Sequence, residues 1–114
     1  MDTMEYNGTD IYCDVILNGK LPVKVVRETE RLLAFYHTKP HWEFHVVCVP
    51  KEHVRSIFEL KHMFLIGEIF EVLRDIAAEH HLEESYFKII TNGGTTQDSK
   101  HLHFHLVSGQ LMAK

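Results

Sequence analysis

The chain has 114 residues, with 12 Lys and Arg against 16 Asp and Glu, so its formal net charge is −4 with the 10 histidines neutral. That length suits one compact domain with one core, read as 1–114 with residues 1–9 as an N-terminal extension. A mildly acidic balance gives no reason to expect nucleic acid or an anionic membrane as partner, and no apolar run approaches the ~20 residues of a membrane span.

The start of the chain, Met1 to Tyr6, is polar and acidic and lacks the basic and apolar stretches of a signal peptide. The two cysteines, Cys13 and Cys48, do not imply a disulfide framework, so a reducing, cytoplasmic setting is expected. Asp10 to Leu17 reads as a short helix capped by Asp10 or Thr9 and stopped by Asn18-Gly19. Val23 to Arg27 and Arg31 to His37 read as strands, the second broken by Lys39-Pro40. Glu43 to Val49 is rich in β-branched residues and ends at Pro50, and Cys48 within it reads as a small core hydrophobe. From Leu60 to His81 the spacing of Phe64, Leu65, Ile69, Val72, Leu73, Ile76 and Ala77 predicts one long amphipathic helix, with His80 and His81 in its last turn. Tyr86 to Thr91 and His101 to Val107 complete five strands, the first of these ended by Asn92-Gly93-Gly94. The expected fold class is α+β: a five-stranded antiparallel sheet with one long and one short helix.

The last strand carries the chemistry. His101, His103 and His105 stand at alternate positions, so a strand would project all three imidazoles from one face and Leu102, Phe104 and Leu106 from the other. An imidazole can act as nucleophile, proton donor or orienting partner near neutral pH. Three alternating histidines with apolar residues between them could also be a metal-binding tract.

The pattern H-φ-H-φ-H-φ-φ, with φ apolar, resembles the signature of the histidine triad (HIT) family of nucleotide hydrolases and transferases, closest to its small bacterial, Hint-like branch. Other segments agree in order: Ile11 to Ile16 with Asn18-Gly19-Lys20-Leu21-Pro22, then Leu33-Ala34-Phe35, then Phe44 to His53 against a G-H-x-L-V-I-P-K-x-H stretch, then Asn92 and Gln97. The resemblance spans about Asp10 to Met112. It implies a HIT-like fold and cleavage at the α-phosphate of a purine nucleotide conjugate. His103 would form a covalent nucleotidyl-imidazole, and a nucleoside monophosphate would be released from phosphoramidate or acyl-adenylate substrates. His105 would contact the same phosphate and assist the leaving group, and His101 would support the row or bind metal. Asn92, Gln97, Asp98 and Ser99 would bind phosphate, although Asn92 also reads as a turn residue and Gln97 as a loop residue. Tyr12, Leu21, Phe35 and His37 would line the nucleoside slot, Tyr12, Leu21 and Phe35 with core packing as the alternative.

The same resemblance implies no cofactor for catalysis and a homodimer, to which Trp42 could contribute. It also admits a structural zinc on Asp10, Cys13, His53 and His101; the alternative makes Asp10 a helix cap, Cys13 buried and His53 a surface residue. Two positions depart from the family. His37 stands where a carboxylate usually accepts bonds from both ribose hydroxyls, and Asp98 stands where many Hint-like members carry serine. Those departures keep two alternatives open: a dinucleoside polyphosphate hydrolase, and a nucleotide- or zinc-binding interaction module with little turnover. His41, His45 and His62 receive no catalytic role, and His45 reads as structural.

Overall fold

The computed structural model describes residues 16, 17, 19, 22–97 and 100–112. The expected N-terminal extension and opening helix lie outside the described residues, apart from Ile16 and Leu17. Five strands form one antiparallel sheet: β1 Val25–Glu28, β2 Leu32–Tyr36, β3 Trp42–Pro50, β4 Lys88–Ile90 and β5 Phe104–Leu111, in the spatial order β1-β2-β3-β5-β4. Among the described residues one α-helix, α1 Phe64–Glu79, packs on the sheet. No described helix is long and apolar enough to cross a membrane.

The central strands are covered on both faces, which is why β2 and β3 read as nearly continuous apolar runs rather than alternating ones. Towards α1, Leu32, Ala34, Val46, Cys48, Phe104 and Leu106 meet Leu65, Ile69, Val72, Leu73, Ile76 and Ala77 of the helix. Leu33, Phe35, Val47 and Val49 point the other way and pack with Ile16, Leu17 and Val23. This second face carries the site.

Several boundaries differ from the sequence expectation. The helix starts at Phe64 rather than Leu60. Upstream, Ile57–Glu59 forms a separate 3-10 turn capped by the Ser56 hydroxyl, and Leu60 leaves it in an extended conformation. Phe64, expected on the buried stripe, is exposed and lies under the Arg31 guanidinium, 5.3 Å from its ring centroid. His80 and His81 fall beyond the last turn, His80 as C-cap and His81 in the left-handed region at φ 57°. β1 begins at Val25 rather than Val23, because Val23 packs into the second core instead. Only Lys88, Ile89 and Ile90 of the expected Tyr86–Thr91 strand pair with β5.

β5 departs most. It begins at Phe104 rather than His101 and runs on to Leu111, through a bulge where Gly109 adopts φ +81°. The chain before it is held by other contacts: the Leu102 N–H donates to the Val54 carbonyl at 2.6 Å, and the Thr91 hydroxyl donates to the His103 carbonyl at 2.8 Å. His101 and His103 therefore precede the strand instead of forming its first turns of pleat.

Candidate active site

Register places the site. Phe35 pairs with Val47, and Val47 with His105, so these three lie in line across β2, β3 and β5 on the face away from α1. One row along, His45 pairs with Val107, and the His37 N–H donates to the His45 carbonyl at 2.9 Å. Leu102, Phe104 and Leu106 are buried in the helix-side core, so the alternation persists through residues where ladder pairing has stopped. His103 and His105 sit on the second face with ring centroids 5.0 Å apart and planes at 83°.

The hydrogen bonds fix which nitrogen of each ring holds the proton. A carbonyl can only accept, so the 2.6 Å contact between His103 Nδ1 and the His101 carbonyl puts the proton on Nδ1. Nε2 of His103 is then the unprotonated nitrogen. For His105 the logic runs through His45. The His41 backbone N–H donates to His45 Nδ1 at 2.9 Å, so His45 carries its proton on Nε2. That proton is donated to His105 Nδ1 at 2.8 Å, which leaves His105 with N–H at Nε2. Two neighbouring imidazoles thus have opposite tautomers: one offers a lone pair, the other an N–H.

Burial keeps His45 and His105 neutral. Desolvation first, and then the nearby His37 and His41 rings, press the His45 pKa down to about 3. His105 is lowered to about 3 as well, first by burial and then by His103, His45, His37 and His41. His45 and His105 are therefore uncharged near neutral pH, and the tautomer relay between them holds there.

His103 is nearly fully buried and His105 half-buried, whereas His101 is fully buried. Its Nε2 donates to the Pro50 carbonyl at 2.8 Å, and its own carbonyl orients His103. His53 is exposed, and its ring centroid lies 5.5 Å from that of His101. Asp10 and Cys13, the other two donors expected for zinc there, lie outside the described residues, as do Tyr12, Leu21, Asp98 and Ser99. Gln97 is buried, and its side-chain amide donates to the Arg55 carbonyl at 2.6 Å, which leaves a second amide N–H in its inventory. Asn92 is half-buried just after β4, and Phe35 is buried in the second core.

His41 and His45 are the site residues that sequence reasoning passed over. Tyr36 pairs with Val46, so the β2–β3 hairpin is centred on position 41 and sets His37 opposite His45. Their rings stack at 4.3 Å with planes 27° apart. Histidines at 37, 41 and 45, equally spaced about the Lys39-Pro40 break, are the signal that could have revealed the arrangement. His37 accepts the Lys39 N–H on Nδ1 at 3.0 Å, so its Nε2 is a donor. Where a carboxylate would accept two bonds, this ring offers an N–H.

The comparisons agree with this geometry. The family described as scavenger mRNA decapping enzyme C-term binding matches residues 9–114. An uncharacterised HIT-like protein of Synechococcus elongatus is 31% identical over 101 residues, covering 86% of this chain and 89% of the relative. The solved structure of a histidine triad protein from Clostridium difficile shares 32% identity at a TM-score of 0.81, covering 96% of this chain and 98% of the other. A HIT family hydrolase from Legionella pneumophila shares 27% identity at a TM-score of 0.81, covering 91% and 96%. Sheet, helix and imidazole row together define a protein with the fold of the HIT hydrolases. The chain belongs to the histidine triad (HIT) family.

Proposed function

We propose that this chain is a nucleotide hydrolase or nucleotidyl transferase that works through a covalent nucleotidyl-His103 intermediate. The observation that carries the proposal is the opposite tautomers of His103 and His105 at 5.0 Å. His103 Nε2 attacks the α-phosphorus, forming a P–N bond as the bond to the leaving group breaks. The proton stays on Nδ1, donated to the His101 carbonyl, so the His101 backbone stabilises the positive charge that develops on the ring. His105 donates its Nε2–H to a phosphate oxygen. Being neutral, it supports the charge on phosphate without giving up its proton. A carboxylate leaves from an acyl-adenylate as the anion, and an amine leaves from a phosphoramidate taking its proton from solvent. Water then cleaves the P–N bond and releases the nucleoside monophosphate, which makes two easier displacements of one hard one.

The substrate is a purine nucleoside phosphoramidate or acyl-adenylate. Asn92, Gln97 and Ser99 hold the phosphate, Asp98 joins them only as the protonated acid, and Tyr12, Leu21 and Phe35 line the base slot. His37 replaces a sugar-binding acceptor with a donor, so the sugar is gripped through its oxygen lone pairs and more weakly than by a carboxylate. The protein acts as a single-domain cytoplasmic homodimer. A structural zinc on Asp10, Cys13, His53 and His101 is compatible with the approach of His53 to His101.

A fluorogenic adenosine phosphoramidate tests the proposal directly. Turnover is expected in the wild type, with loss of on the order of a thousandfold or more in His103→Ala, since a covalent nucleophile is removed. Faster cleavage of a dinucleoside polyphosphate than of the phosphoramidate would move the substrate class to that alternative. Nucleotide binding without turnover would make the chain an interaction module and overturn the enzymatic reading.

A further inference from the structure

Around His105, the hairpin tip gathers more imidazole than the attack on phosphorus uses. We propose that His37, His45 and His105 form a binding site for a borderline divalent cation of the zinc, copper and nickel class. Each offers one nitrogen, and the three nitrogens lie within 4.8 Å of one another. Ring centroids are 4.3 Å apart for His37 and His45, 5.0 Å for His45 and His105, and 5.7 Å for His37 and His105. Zinc bound at ~2.0–2.1 Å holds its imidazole nitrogens roughly 3.3 Å apart, so side-chain rotation at the tip closes the set. An all-nitrogen donor set selects against magnesium and calcium, which take oxygen. Three ligands leave a fourth position for solvent or an anion.

Hydrogen bonding makes ligation readable. The Lys39 N–H now donates to His37 Nδ1 and the His41 N–H to His45 Nδ1. His45 Nε2 is the nitrogen that faces His105. A neutral ring that binds metal through Nε2 carries its proton on Nδ1. Both backbone amides must therefore release their ring acceptors when the metal enters, with the protons moving within the rings and none lost. The ion takes the place of the shared proton between His45 and His105. His105 ligates through Nδ1, the nitrogen that faces His45, and keeps its Nε2–H.

The test uses the metal-stripped full chain and zinc alone, measured by isothermal titration. The His53→Ala variant removes any zinc held beside His101, and one equivalent is expected to remain. Adding His37→Ala should weaken that equivalent by on the order of a hundredfold or more, since removal of a supporting partner alone costs 10–100-fold. Both variants are first matched to the wild type by urea midpoint. Should the double variant unfold, amide NMR of the wild type decides: zinc should shift the Lys39 and His41 resonances. The proposal is overturned if His53→Ala takes up no zinc, if His37→Ala leaves its affinity unchanged, or if the two amides stay put at zinc saturation.

Discussion

Acidification should destabilise this fold through His45 and His105 before the carboxylates titrate. Both rings are held near a pKa of about 3 when folded, chiefly by burial and secondarily by neighbouring histidines. In the unfolded chain each returns to about 6.5. Between those values the unfolded state binds more protons, so stability is full above about pH 6.5 and falls as pH drops towards 3. From pH 7 to pH 5, each ring that stays neutral in the fold contributes a loss of about 2 kcal/mol, from roughly 1.4 kcal/mol per pH unit below 6.5. The rings share a hydrogen bond and titrate as a pair, so the combined loss is about 2 to 4 kcal/mol, a large share of a typical ~5–15 kcal/mol. Stopping at pH 5 keeps the measurement above the ordinary carboxylate range. The partner experiment is His45→Gln. Its amide can accept from the His41 N–H and donate to His105 Nδ1 as His45 does, yet it does not titrate. Urea midpoints at pH 7 and 5 should show the wild type losing stability at constant m-value, with the drop smaller by about 2 kcal/mol in His45→Gln. Equal pH dependence in the two proteins would show that His45 is not held neutral in the fold, and the tautomer relay to His105 would fail with it.

Gly109→Ala should destabilise by about 1–3 kcal/mol in urea melts, because φ +81° disfavours a side chain and an added Cβ would lie 2.5 Å from Glu43 Oε1 and 2.8 Å from Glu43 Cβ. Ile69→Ala should cost about 2–5 kcal/mol with the m-value unchanged, since Ile69 is fully buried between α1 and the sheet. Cys48 should resist iodoacetamide at pH 8 in the native protein and react once unfolded, as read by peptide mass mapping. It is buried, and desolvation pushes its thiol up to about 12.

Local rules carried the sheet strands and the helix core a long way. Strand β3 was legible because β-branched residues end against Pro50, and α1 because its buried residues recur at helical spacing. Both signals come from neighbours in sequence. The helix start was not legible: Leu60 fits the apolar spacing and neither Lys61 nor His62 breaks a helix, yet Leu60 ends a separate Ser56-capped turn in an extended conformation. The triad was visible as a motif, but its surroundings depend on distant partners. Gln97 meets the carbonyl of Arg55, and His101 meets that of Pro50, across gaps of 42 and 51 residues that no periodicity encodes. The His37–His45 stack lies between these cases. It follows from a hairpin centred at 41, and the sequence shows the turn residues without showing that they sit midway between paired strands.

The early end of ladder pairing explains why the central histidine is suited to attack. In a regular antiparallel strand a backbone carbonyl lies in the sheet plane, directed at a neighbouring strand or away from it, and is poorly placed for a side chain two residues on. Here Leu102 is drawn instead to Val54, and Thr91 takes the His103 carbonyl, so the ladder stops before residue 103. That break turns the His101 carbonyl onto His103 Nδ1 and fixes the proton there. One position later the ladder resumes, and His105 is set by side-chain bonding through His45 to the opposite tautomer. The boundary between irregular chain and strand thus falls between the two rings that need different protonation. A single regular strand would have aligned both imidazoles without telling them apart.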